Sequence, residues 1–120
     1  LWQKPLSSNV DMAILKNNLY VTKSDGSITA LDRRDGKTLW NNNDLLARSV
    51  SAPEAIESIS GPNIVVGDYA GYLHLLDGNT GKIIGRTHIG KSGVRVAPNT
   101  YSGIVYALSN EGNFSAMQVS

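Results

Sequence analysis

Cysteine is absent from the 120 residues. That excludes a disulfide framework, a thiolate nucleophile and a thiolate metal site, but not an oxidising compartment, since an exported protein can also do without cysteine. Charge of one sign is lacking as well: 11 Lys and Arg against 10 Asp and Glu leave a formal +1. Such a balance offers no basic footprint for nucleic acid or for an anionic lipid surface. No apolar run approaches the roughly 20 residues of a membrane-spanning helix, and no signal-peptide pattern is present. No segment reads as a long amphipathic helix, although Asp44-Leu45-Leu46-Ala47-Arg48 has room for one turn. Aromatics make up only 7%, with two Trp, so each indole asks for an explanation from its position.

Glycine, by contrast, is plentiful. Twelve in 120 residues exceed the usual ~7% and suit a chain of hairpins. The clearest hairpin is Ala30 to Trp40, ALDRRDGKTLW. Ile28-Thr29-Ala30-Leu31 has the β-branched and apolar mixture of a strand. In Asp32-Arg33-Arg34-Asp35-Gly36 the carboxylates can bond the backbone and the Gly can take positive φ, so Lys37-Thr38-Leu39-Trp40 runs back as an edge strand. The frame recurs 45 residues on, because 32 + 45 = 77 and 36 + 45 = 81: Asp77-Gly78-Asn79-Thr80-Gly81-Lys82 repeats Asp, Gly and Lys without a gap. A fixed period of this length marks one supersecondary unit per repeat, typically a propeller blade.

The organisation follows from that period. Leu1-Trp2-Gln3-Lys4 matches Leu39-Trp40-Asn41-Asn42, so residues 1–8 read as the outer strand of a preceding blade. Residues 9–45 read as one blade, with strands Asp11 to Asn17 and Leu19 to Thr22 around an Asn17-Asn18 turn. Residues 46–90 read as a second, with strands Glu54 to Ser60, Asn63 to Gly67, Tyr72 to Leu76 and Lys82 to Ile89. Residues 91–120 read as an incomplete last blade, with strands over 95–99, Ile104 to Leu108 and Phe114 to Val119. The expected fold is all-β, a propeller fragment of four-stranded antiparallel blades: two complete, one of three strands, and one orphan strand. An orphan strand at one end and an open edge at Val119 invite exchange, so a strand-swapped homodimer of this fragment is expected.

The motif A-x-D-x-x-x-G-K-x-x-W, met by Ala30, Asp32, Gly36, Lys37 and Trp40, resembles the tryptophan-docking motif of quinoprotein-type β-propellers. The resemblance implies that the indole lies flat against the neighbouring blade, with Trp2, Asp77 and Gly81 in corresponding blade-docking positions. Asn43 to Pro53 after Leu39-Trp40, and Val65-Val66-Gly67-Asp68-Tyr69-Ala70-Gly71-Tyr72-Leu73-His74, are similar to the C-terminal blades of the BamB family. These are β-propeller lipoproteins of the outer-membrane β-barrel assembly machinery of Gram-negative bacteria. Membership would imply a periplasmic, non-catalytic scaffold without cofactor that binds periplasmic domains of the barrel-forming subunit. It would be tethered to the outer membrane by a lipidated N-terminus outside this segment. By analogy of position, Leu45, Leu46 and Arg48 in the blade-to-blade connection are the candidate partner-binding residues. The two leucines either pack beneath the propeller or stand out as anchors.

Two other function classes compete with the scaffold. A pyrroloquinoline-quinone-dependent dehydrogenase needs calcium held by carboxylate and amide oxygens and a carboxylate base. Asp44, Glu54, Glu57, Asp68 and Glu111 are scattered with no readable pairing. The Asp77 to Gly81 loop lacks the alternating oxygens and distal Glu of a calcium loop and reads as a hairpin turn. His74 and His88, 14 residues apart, show no acidic or His partner at ligand spacing and read as strand residues. A generic propeller-repeat interaction protein is the third reading.

Overall fold

The computed structural model describes residues 10–23, 25–48, 50–58, 61–90, 93–96, 104–109, 112 and 114–118. The expected outer strand over residues 1–8, Trp2 within it, and the open edge at Val119 lie outside the described residues. The strand exchange drawn from them lies outside as well. Among the described residues the regular structure is all strand: β1 Val10–Leu15, β2 Asn18–Lys23, β3 Ile28–Asp32, β4 Thr38–Asn42, β5 Glu54–Ser58, β6 Gly61–Gly67, β7 Tyr72–Asp77, β8 Ile83–His88, β9 Val94–Val96, β10 Ile104–Ser109 and β11 Phe114–Gln118. They form four-stranded meanders β1-β2-β3-β4 and β5-β6-β7-β8 and a three-stranded sheet ordered β11-β10-β9. Every pairing is antiparallel.

The first turn sits one residue earlier than the Asn17-Asn18 reading. Leu15 pairs with Asn18, which leaves Lys16 and Asn17 in the loop, and Lys16 takes a positive φ of 55°. Asn18 belongs to β2 because its amide is used there, donating from Nδ2 to the Tyr20 hydroxyl at 2.9 Å.

Inner strands are apolar and outer strands are wet, as expected when sheets stack face to face around an axis. Tyr20, Ile28, Ala30, Leu45, Ile64, Val66 and Leu76 fill the space between the first and second sheets. Ile56, Val65, Leu73, Val94 and Ala107 fill the space between the second and third. The 45-residue frame reaches down to backbone irregularities. A bulge breaks the β3–β4 register between Ala30 and Leu31 and the β7–β8 register between Leu75 and Leu76, and 30 + 45 = 75. Each bulge leaves one outer-strand residue unpaired, Leu39 and Ile84, and these are 47% and 56% exposed.

The repeat is not a copy in volume. Ala30 pairs with Trp40 in the first sheet, whereas Leu75 pairs with Gly85 in the second. Small faces large in both, with the order reversed.

Candidate partner surface and the joint beneath it

The joint between the first two sheets begins at the β7–β8 turn. Asp77 N donates to Lys82 O and Gly81 N to Asp77 O, and Asp77 Oδ1 accepts from Asn79 N at 2.8 Å. Gly81 takes φ +79°, and the space where its Cβ would stand is taken by the Trp40 indole, 2.4 Å from Cε3. The half-buried indole therefore rests on bare backbone of the next sheet. Its Nε1 donates to Gly78 O at 2.9 Å, and the Tyr20 hydroxyl donates to the same carbonyl at 3.2 Å. Asn42 Nδ2 donates to Gly81 O at 2.6 Å. The Tyr20 and Trp40 rings lie 6.0 Å apart.

The equivalent turn in the first sheet is built alike. Gly36 N donates to Asp32 O and Asp32 N to Lys37 O, while Asp32 Oδ1 accepts from Arg34 N at 2.8 Å. The Arg34 side chain also pairs with this carboxylate, with Oδ2 at 2.8 Å. Those bonds, the guanidinium's first, hold the Asp32 carboxyl at about 2. Lys37 N donates to Asp35 Oδ1 at 3.0 Å. Asp32, Gly36 and Lys37 thus shape their own hairpin, while Trp40, Gly78 and Gly81 make the contact across sheets.

At the opposite end the connection after β4 is folded into a turn. Asp44 N donates to Asn42 Oδ1 at 2.7 Å, Arg48 N donates to Leu45 O, and Ala47 is left-handed at φ 67°. This turn separates the two leucines. Leu45 is fully buried, and Leu46 is 47% exposed. Leu45 as a partner-binding residue is therefore corrected: its backbone lies directly on Gly26, so its side chain points into the core. Leu46 keeps the surface.

Arg48 is committed within the chain. Its Nη1 donates to Asp68 Oδ2 at 3.0 Å, its carbonyl accepts from Tyr69 N at 3.0 Å, and its guanidinium lies 5.9 Å above the Tyr72 ring. The reading of His74 without an acidic partner is also corrected. The β6–β7 turn folds Asp68 back over β7, and His74 Nε2 meets Asp68 Oδ2 at 2.6 Å. Both side chains are fully buried. Burial alone would raise the Asp68 carboxyl, but hydrogen bonds from His74, Tyr72 N and Arg48 outweigh it and hold it below the usual carboxylate range.

Sequence reasoning missed Tyr69. It stands 68% exposed at the tip of the β6–β7 turn, with both backbone groups fastened: its N–H to Arg48 O and its carbonyl to Gly93 N at 2.7 Å. A Tyr between Asp68 and Ala70-Gly71 was the available signal, since turn tips favour small polar residues. Leu46 and Tyr69 sit at one end of the sheets, on turns bonded to each other. Among the described residues, no group of three or more His, Cys, Asp or Glu could hold a metal ion.

Comparison with known proteins bears on this arrangement. The family model described as "Outer membrane protein assembly factor BamB" matches residues 1–120. Curated proteins of that name are similar: one from Pseudomonas aeruginosa is 40% identical over 119 residues, covering 99% of this chain and 30% of the relative. One from Legionella pneumophila is 36% identical over 120 residues, covering 100% and 30%. The crystal structure of BamB from Moraxella catarrhalis superposes with a TM-score of 0.74 at 28% identity, covering 90% of this chain and 30% of that one. The chain thus spans about 30% of the length of the relatives it matches. The blade period, the stacked sheets and the match along the whole sequence agree: the chain belongs to the outer membrane protein assembly factor BamB family.

Proposed function

We propose that these blades are part of a non-catalytic propeller scaffold for outer-membrane β-barrel protein assembly. It works in the periplasm, held at the outer membrane by an N-terminal lipid anchor of the full-length protein. It binds periplasmic domains of the barrel-forming subunit. The relatives' name, assembly factor, supports the process. The observation that supports a binding surface in this segment is the exposed pair Leu46 and Tyr69, with the Tyr69 backbone hydrogen-bonded on both sides and the Leu46 N–H bonded to Asn43 O. An aromatic on a fixed backbone loses little entropy on binding, which is the composition of an interface anchor. Arg48 serves by holding the turn in place.

Leu46→Asp and Tyr69→Ala in the full-length protein are each expected to weaken binding to the purified periplasmic domains by more than about tenfold with unchanged thermal stability. Calorimetric titration measures it. Unchanged affinity in both folded variants would remove this surface from the interface. Arg48→Glu would test something else, since it sets a second carboxylate against buried Asp68.

A further inference from the structure

The second sheet, where it meets the connection after β4, contains a titratable relay that the scaffold role does not use. Arg86 Nε donates to His74 Nδ1 at 3.1 Å, and His74 Nε2 lies 2.6 Å from Asp68 Oδ2. A guanidinium has donors only, so Nδ1 must present its lone pair and the ring proton must be on Nε2. The imidazole is therefore neutral, in one tautomer, and out of contact with water.

We propose that Asp68, His74, Arg86 and Arg48 form an acid-operated latch where the β6–β7 turn meets the connection after β4: one proton taken up at His74 Nδ1 displaces the Arg86 guanidinium and loosens the turn. Nδ1 is the ring's only vacant proton site, and it faces an N–H donor. Proton uptake and the Arg86 bond therefore exclude each other. Arg86 is exposed on the outer strand β8 and can leave for solvent, whereas the ring cannot.

Among the described residues, the groups facing the ring are Asp68 from the β6–β7 turn, Arg86 from β8 and Arg48 from the connection. Tyr72 lies at 6.2 Å, with His88 behind it at 4.6 Å. Burial acts first to lower the affinity of the imidazole for a proton; Asp68 opposes it, Arg86 and Arg48 add to it, and the net direction is downward.

What the latch holds is the meeting of three segments. Asp68 Oδ1 accepts from Tyr72 N at 2.9 Å, Asp68 O accepts from Val94 N on β9 at 3.0 Å, and Arg48 O accepts from Tyr69 N. Because the folded-state affinity of His74 for a proton is depressed, the unfolded or opened state binds the proton first. The latch is fully closed above about pH 6.5, the ordinary imidazole value, and weakens as pH falls from there, by up to about tenfold per pH unit in the opening constant. The Asp68 carboxylate begins to contribute only below its ordinary value of about 3.9. Glu54, pushed up by burial, acts in the opposite direction around its ordinary value, below the upper part of this window.

The test is hydrogen exchange in the full-length protein, from pH 7.5 to 5.0, at the amides of Tyr69, Tyr72 and Val94, corrected for intrinsic rates. In the wild type, protection is expected to fall below about pH 6.5 by up to about tenfold per unit. His74→Gln keeps a donor for Asp68 and an acceptor for Arg86 but cannot titrate, and its protection should stay flat. Arg86→Met removes the competitor for Nδ1, so the closed state takes the proton more readily and the fall in protection below about pH 6.5 should shrink. Parallel profiles for the wild type and His74→Gln would overturn the proposal. So would an undiminished fall in Arg86→Met, or ring nitrogen shifts placing the proton on Nδ1 at pH 7.5. If His74→Gln does not fold, the last two measurements decide.

Discussion

Trp40→Ala is expected to lower the unfolding free energy by about 3–5 kcal/mol, the usual cost of truncating a large aromatic in a packed site. The indole is half-buried, which places the loss toward the lower end. Its contacts argue that the loss is real: the ring covers Gly81 of the next sheet, and Nε1 donates to Gly78 O. Alanine leaves a slot at the joint that bare glycine backbone cannot fill, because the β7–β8 turn is fixed by its own Asp77 bonds. Trp40→Phe should fall between wild type and alanine, restoring ring contact without the N–H. Urea denaturation of the full-length protein measures both. A loss under about 1 kcal/mol in Trp40→Ala, far below the range for such truncations, would mean that the indole does not fasten the sheets.

Gly26→Ala is expected to cost roughly 2–4 kcal/mol, from a strained backbone and an overfilled contact together. Gly26 takes φ +98°, and an added Cβ would stand 2.1 Å from Leu45 O and 3.1 Å from the Leu46 Cα. Every one of those neighbours is main chain, so no rotamer change relieves the overlap. Gly112→Ala separates the two causes, since Gly112 shares the positive φ, +90°, with nothing within 4 Å. It should cost only the backbone part, about 1 kcal/mol. Equal losses at the two positions, read from denaturation midpoints, would show that the connection yields and that Leu45 is not pinned by this contact.

The parts of this fold that sequence alone discloses are those with local causes. The 45-residue frame, the Asp…Gly-Lys turns and the all-β pattern are written in neighbouring residues. What was hidden depends on how sheets stack. Trp40 and Gly78 are 38 residues apart and Tyr20 and Gly78 are 58 apart, and no period announces which backbone an indole will cover. The split between Leu45 and Leu46 falls in a turn that ends on a left-handed Ala47, a conformation that alanine does not advertise. In sequence His74 stands alone, with no acidic or His residue at metal-ligand spacing. Its actual partner lies six residues back across a turn and serves as a hydrogen-bond acceptor instead. Tyr69 belongs to the same class: its exposure follows from backbone bonds to Arg48 and Gly93, both outside its own hairpin.

The reversed pairs Ala30–Trp40 and Leu75–Gly85 also restrict how genes for such repeats can be shuffled. Unequal crossing-over between neighbouring repeats is an obvious way for a propeller to gain or lose a blade. A breakpoint between codons 30 and 40, aligned to the next repeat, would join Ala30 to Gly85 or Leu75 to Trp40. The first product carries a void where an indole belongs, and the second sets a leucine against one. Either mismatch carries the penalty of an underfilled or overfilled core, from about 1 to several kcal/mol. Breakpoints outside that short interval keep each matched pair together. Blade duplication in this lineage is thus expected to leave its seams in the connections or inner strands, and chimeras engineered from its blades should be cut there.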